Sequence, residues 1–299
     1  MKLLRNRDFI LSLALGLGLL WGWPAQWTQR LTLPALAVVM MVSTTAISGS
    51  AFRSPKVLIG PALGGIVMNY VVLTGLILGL SALFIHDEQF WMGFVLVAAV
   101  PAGVAVVPFS GMLNGNVSFA LLATLGCYLG ALIITPAITL GLLGTAFINP
   151  AKVFIIMVEL ILIPLIASRV LLWTGLARHV EPIKGTIVNW SFFLLVYTIV
   201  GLNRDVFVGR PLSLLPVGAI ALASTFVLGF GIEFFGRLLR IDRGTNVSLV
   251  LLGTVKNYGL SAGLALALFG KATAVPSTVS SVFFIVYVIW LNVRKQWKG

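Results

Sequence analysis

Apolar residues along this chain come in long stretches separated by short polar connections. Ten of these stretches are read as membrane spans, at approximately 8–22, 31–50, 56–84, 90–112, 117–147, 152–174, 185–202, 211–238, 246–269 and 273–293. The pattern predicts helices, because a chain in hydrocarbon must satisfy its own backbone polar groups. Two stretches are interrupted. Pro101, Gly103 and Pro108 break the fourth, and Gly253, Lys256, Asn257 and Gly259 break the ninth. Lys256 is the tenth residue, and the only charged one, of a 23-residue apolar run at 247–269. A lysine near the bilayer centre costs about 2.5–3.5 kcal/mol on insertion scales. With two glycines and further polar side chains beside it, that charge suits a helix broken inside a protein-lined cavity, as at a transport or ion site.

Composition agrees with the pattern. The 299 residues are 59% hydrophobic and 9% charged, with mean hydropathy +1.08, against roughly 25% charged in an average soluble protein. A sizeable water-soluble domain has no room. The one cysteine, Cys127, excludes an internal disulfide framework. His86 and His179 fall in connections without a second ligand at metal spacing, so no metal is expected. No phosphate-binding glycine loop ends in Lys-Ser or Lys-Thr, and no cofactor is implied.

The formal charge of +12 reflects topology and attraction to anionic lipid, and does not indicate a nucleic-acid surface. One face would carry Lys2, Arg5, Arg7, Arg53, Lys56, Arg169, Arg178, Lys184, Arg237, Arg240, Arg243, Arg294, Lys295 and Lys298. The other would carry Arg30, Lys152, Arg204, Arg210 and Lys271. By the positive-inside rule the expectation is a multi-pass protein of the cytoplasmic membrane with both termini cytoplasmic. The first apolar run lacks a small-x-small cleavage site directly after it, and Trp21, Trp23 and Trp27 look like an interfacial belt. It is therefore read as a retained helix and not as a signal peptide.

A period near half the chain is also visible. Arg53-Ser54-Pro55 before the third span is echoed by Gly209-Arg210-Pro211 before the eighth, and Val106-Val107 stands 150 residues before Lys256-Asn257. Five spans per half would insert the second half upside down. The expected fold is all-α and polytopic: one membrane domain over 1–299, built from inverted five-helix repeats at 1–150 and 151–299. Broken spans four and nine would cross at the midplane, where half-helix N-termini and freed carbonyls bind ions and substrate.

Three groups of residues resemble the bile acid:sodium symporter family. The first is Val39-Met40-Met41 followed by Ala51-Phe52-Arg53-Ser54-Pro55. The second is Pro101-Ala102-Gly103, then Leu113-Asn114-Gly115-Asn116 and Thr135-Pro136. The third is Asn257-Tyr258-Gly259-Leu260, then Ala262 and Phe269. The resemblance implies a core of spans three to five and eight to ten (approximately 56–147 and 211–293). Beside it would stand a panel (approximately 8–50 and 152–202), with substrate between the two. It also implies where sodium ligands would stand. Those positions hold Val106 and Val107, Ala120 and Thr124, Gly64, Leu252 and Lys256. A hard cation needs several oxygen ligands, and of these side chains only Thr124 offers one. Both sodium sites look dismantled, with an ammonium in their place.

The candidate binding residues are Lys256, Asn257, Tyr258, Thr124, Asn69, Asn189 and Glu159. Asn69 in the third span and Asn189 in the seventh face protein, as polar side chains in a membrane must, and either binding or helix–helix hydrogen bonding explains them. Glu159, seven residues past Lys152 and about 10 Å along a helix, is a proton relay, a partner for Lys256, or a carboxylate reaching the outer interface. Glu233 has Arg237 four residues on, an ordinary helical pair. Whether Lys256 holds a permanent charge, or titrates and links transport to protons, the sequence leaves open. The expected function is sodium-independent secondary transport of a small organic anion. Alternatives are an arsenite- or auxin-type efflux carrier on a related fold, a receptor on a transporter scaffold, and an intramembrane enzyme. For an enzyme no nucleophile–base constellation is present.

Overall fold

The computed structural model describes residues 7–45, 55–144, 150–209 and 211–297. The motif residues Ala51 to Ser54, the terminal basic residues Lys2, Arg5 and Lys298, Arg210, and the far ends of the second and fifth predicted spans lie outside them. Among the described residues every regular element is helical. The helices are α1 (Arg7–Leu20), α2 (Thr32–Thr44), α3 (55–84), α4 (Glu88–Ala99), α5 (Val106–Met112) and α6 (Val117–Leu143). They continue with α7 (150–173), α8 (Ala177–Leu202), α9 (Pro211–Leu238), α10 (Arg243–Leu252), α11 (Tyr258–Leu268) and α12 (272–297). Six stretches are long and apolar enough to cross a bilayer, namely Leu58–Phe84, Val117–Leu143, Phe154–Trp173, Ala177–Leu202, Pro211–Leu238 and Ala272–Arg294. Shorter apolar helices at Phe9–Leu20, Glu88–Ala99 and Tyr258–Leu268 accompany them. The chain is a multi-pass membrane protein.

Helix starts follow capping chemistry. Asp87, Asn116, Asp242 and Asn257 each accept a backbone N–H three residues on, and these four side chains open α4, α6, α10 and α11. Hydrogen bonds from the hydroxyl and amide of Thr245 hold the Asp242 carboxyl below its usual pKa, so a full negative charge stays at the positive end of α10. Three helices contain a wider π segment, at Val67–Leu73, Val158–Leu162 and Ala223–Val227. Such segments free carbonyls from the regular ladder.

Packing falls into two groups. Helix α2 packs against α7 and α8, and α1 joins them through α8. In the other group α3, α4 and α6 pack together, α9 with α10 and α12, and α11 with α4 and α12. The groups meet where α6 and α11 touch α7, α11 touches α2 and α8, and α12 touches α8. The largest buried apolar cluster runs through the second group around α4, α10 and α11 and extends into α2, α7 and α8. Asn69, Thr74, Lys256 and Asn257 are among the buried polar residues.

Candidate functional site

The two interruptions meet in space. The segments between α4 and α5 and between α10 and α11 run antiparallel, bridged at Ala102 and Lys256. The Gly103 N–H donates to the Val255 carbonyl at 3.2 Å, and the Asn257 N–H to the Pro101 carbonyl at 2.8 Å. This approach requires glycine at position 103. A Cβ there would stand 2.9 Å from the Lys256 carbonyl oxygen and 2.9 Å from Val255 Cγ1.

Breaking a helix leaves its last carbonyls without amide partners, and here side chains take them. Thr74 Oγ1 donates to the Ala98 carbonyl at 2.7 Å, and Thr135 Oγ1 to the Ala99 carbonyl at 2.7 Å. At the end of α10, Asn69 Nδ2 donates to the carbonyls of Leu252 at 2.9 Å and Val255 at 3.2 Å.

Lys256 completes the set. Its side chain is 1% exposed. Its Nζ lies 2.8 Å from the Ala98 carbonyl, 3.0 Å from the Val100 carbonyl, 2.9 Å from Asn69 Oδ1 and 2.9 Å from Thr74 Oγ1. The Tyr70 ring is centred 4.6 Å away. An ammonium has three N–H donors, so four oxygens occupy it fully, with one donor shared. The charge sits at the C-terminal, negative end of α4, and the aromatic face adds attraction. This is the coordination of a small cation by protein oxygens, with the cation attached to the chain.

The other expected residues divide. Asn257, 3% exposed, caps α11 through Oδ1 to the Leu260 N–H at 3.1 Å, and its Nδ2 lies 3.4 Å from Met40 Sδ. Tyr258 is buried, its hydroxyl 3.5 Å from the Thr254 carbonyl. With Gly103, Lys256 and Gly259 these two border a narrow cavity of about 60 Å³. Thr124 and Asn189 stand on a larger one, about 510 Å³, which Val107, Pro108, Tyr128 and Lys184 also border. Phe192 borders both cavities. Thr124 and Tyr128 are each 2% exposed, and neither hydroxyl has a hydrogen-bond partner.

Three expectations need correction. Glu159 is exposed on the π segment of α7 and is not among the groups that hold Lys256, because its helix belongs to the other packing group. Pro108 and Gly259 lie inside the first turns of α5 and α11, and the breaks themselves are 100–105 and 253–257. A proline costs little in a first turn, where its N–H would lack an intrahelical partner anyway. Third, Lys256 stands among the candidate binding residues, yet all its donors are spent inside the protein. Sequence reading missed Thr74 and Tyr128, and quoted Thr135 only as part of a family motif. Tyr128 had a signal, standing four residues after Thr124 on the same helix face.

Comparison with known proteins fits this geometry. The sequence matches the SBF-like CPA transporter family over residues 9–291. The chain belongs to that family. It is similar to the "Uncharacterized sodium-dependent transporter YocS" of Bacillus subtilis (strain 168), 24% identical over 225 residues, or 73% of this chain and 68% of that one. It is also similar to the "Probable sodium/metabolite cotransporter BASS1, chloroplastic" of Arabidopsis thaliana. Identity there is 26% over 267 residues, 88% of this chain and 64% of that protein. The likeness read from Val39-Met40-Met41, Pro101-Ala102-Gly103 and Asn257-Tyr258-Gly259 is therefore borne out at the level of family. This SBF-like protein is a transporter, not an enzyme.

Proposed function

We propose that this SBF-like transporter carries a small organic anion by alternating access without sodium, and that Lys256 takes the structural place of the coupling cation. The observation that carries the reading is the four-oxygen cage around the Lys256 ammonium. The relatives' names speak of sodium, but here Val106, Val107, Ala120, Gly64 and Leu252 offer a hard cation no side-chain oxygen. The substrate would occupy the cavity of about 510 Å³, where the hydroxyls of Thr124 and Tyr128 are unspent donors; Lys184 and Glu181 also border it, but they pair at 3.6 Å and add no net charge. Lys256 then acts on the anion through its field, from behind the crossing. Two packing groups, each held together mainly by its own helices, suit a core moving against a panel. In this reading ten spans form two inverted repeats with both termini in the cytoplasm.

Uptake into proteoliposomes tests the proposal. Exchanging all sodium for potassium or choline should leave transport nearly unchanged, and an acid should outcompete its amide. Lys256→Met should abolish transport and lower stability, because it leaves carbonyl and amide oxygens unpaired in a dry site at about 1–3 kcal/mol each. A strict sodium requirement, equal preference for acid and amide, or an unimpaired Lys256→Met would each overturn it.

A further inference from the structure

A second cavity of about 510 Å³ lies away from the crossing, between α9, α10 and α12. Arg237, Arg243, Arg294, Glu233 and Asn246 border it. Three guanidiniums against one carboxylate leave its wall with two uncompensated positive charges. Glu233 accepts from Arg294 at 2.5 Å and 3.2 Å and from Arg237 as well, so it joins two helices instead of serving one helical pair. Arg294 is also held over the rings of Phe230 and Trp290, 5.3 Å and 5.1 Å from their centres. Its fork is thereby preorganised.

Asn246 stands on the same cavity and is 5% exposed. Its Nδ2 donates to the Glu233 carbonyl at 3.2 Å, while its Oδ1 has no partner. The reverse amide orientation would set oxygen against that carbonyl, so the free acceptor is fixed by the bond its nitrogen makes. That oxygen is sealed from solvent against Gly236, so Asn246 ties α10 to α9 beside the arginines and leaves ligand binding to them. Position adds a further constraint. Arg237 closes the apolar helix Pro211–Leu238 and Arg294 closes Ala272–Arg294, which puts the cavity at the boundary between hydrocarbon and water.

We propose that this cavity binds a phosphate-bearing anion, with the phosphate on the arginines. A phosphatidylglycerol head group and a soluble glycerol phosphate share that chemistry, and the boundary position favours the lipid. The site is separate from the crossing and does not depend on which substrate is transported.

The test uses the full chain in phosphatidylcholine nanodiscs, read by thermal unfolding and native mass spectrometry. Added phosphatidylglycerol should bind and raise the melting temperature. Phosphatidylmethanol, with the same charge on its phosphate, should do so too, and zwitterionic phosphatidylethanolamine should not. Arg237→Gln and Arg243→Gln, both at exposed positions that should not impair folding, should each weaken phosphatidylglycerol binding about fivefold. In detergent without lipid, arginine-dependent stabilisation by glycerol 3-phosphate would identify a soluble source for the same chemistry. Equal binding of phosphatidylglycerol and phosphatidylethanolamine would overturn recognition of a net negative phosphate. Undiminished binding by both arginine variants, or no response to either ligand, would overturn the site.

Discussion

Thr124 and Tyr128 border one cavity from successive turns of α6, and neither buried hydroxyl has a partner within the protein. Removing an unpaired buried hydroxyl should cost no stability, whereas removing one that meets a ligand costs affinity. Thr124→Val and Tyr128→Phe should therefore keep or raise the melting temperature while weakening substrate binding about five- to tenfold, roughly 1 kcal/mol for each lost hydrogen bond. A fall in stability without loss of affinity would make these residues structural. At this scale the sequence announced charges and amides well and hydroxyls poorly. Lys256 and Asn69 stood out because neither is tolerated in hydrocarbon without a partner. Thr74 and Thr135 did not, since a threonine in an apolar helix usually bonds its own preceding turn, as Thr139 does with the Thr135 carbonyl at 2.8 Å.

Helix boundaries were legible where chemistry marks them. Asp87, Asn116, Asp242 and Asn257 are short polar side chains at helix starts, and each is a cap. Proline and glycine were less reliable guides, because they suit first turns as well as breaks; hence the displacement of Pro108 and Gly259 from the breaks expected of them. The π segments left no trace in the hydrophobic pattern, although one of them carries Asn69 and Tyr70. Close approach of the two interrupted segments makes position 103 intolerant. Gly103→Ala should destabilise by about 1–3 kcal/mol and impair transport. Gly79→Ala, where an added Cβ would meet nothing within 4 Å, should be neutral or mildly stabilising. Equal unfolding curves for the two variants would show that the crossing is looser than described.

For the molecule as a whole, the alternation of apolar runs and basic connections carried the helical, multi-pass architecture, because the membrane leaves a chain few options. Which helices pack together did not follow from it, since apolar faces resemble one another. That is why the sequence left Glu159 three readings, of which partnership with Lys256 fails, since the residue stands exposed in the fold. The orientation rests on the asymmetry of arginine and lysine and has its own test. Cys127 is buried and should resist labelling, so Arg178→Cys reports the exposed first turn of α8. A membrane-impermeant thiol reagent should reach it only after intact cells are opened, and labelling of intact cells would reverse the topology.

The cation within the crossing is covalently part of the chain, and this bears on energy as well as shape. So long as its proton stays on, Lys256 enters and leaves no compartment, so it adds no ion to the stoichiometry of a cycle. Each turnover then moves only the charge of the cargo. An inside-negative potential of 100 mV is worth about 2.3 kcal/mol per charge, so a monovalent anion would come to rest about fifty-fold more dilute inside. Imposing that potential on proteoliposomes with a potassium gradient should drive the anion outward with no sodium or pH gradient present. Accumulation against it would mean that a coupling ion moves after all. A lysine in place of a dissociable ion would thus turn a concentrating machine into a valve, with its direction set by membrane voltage.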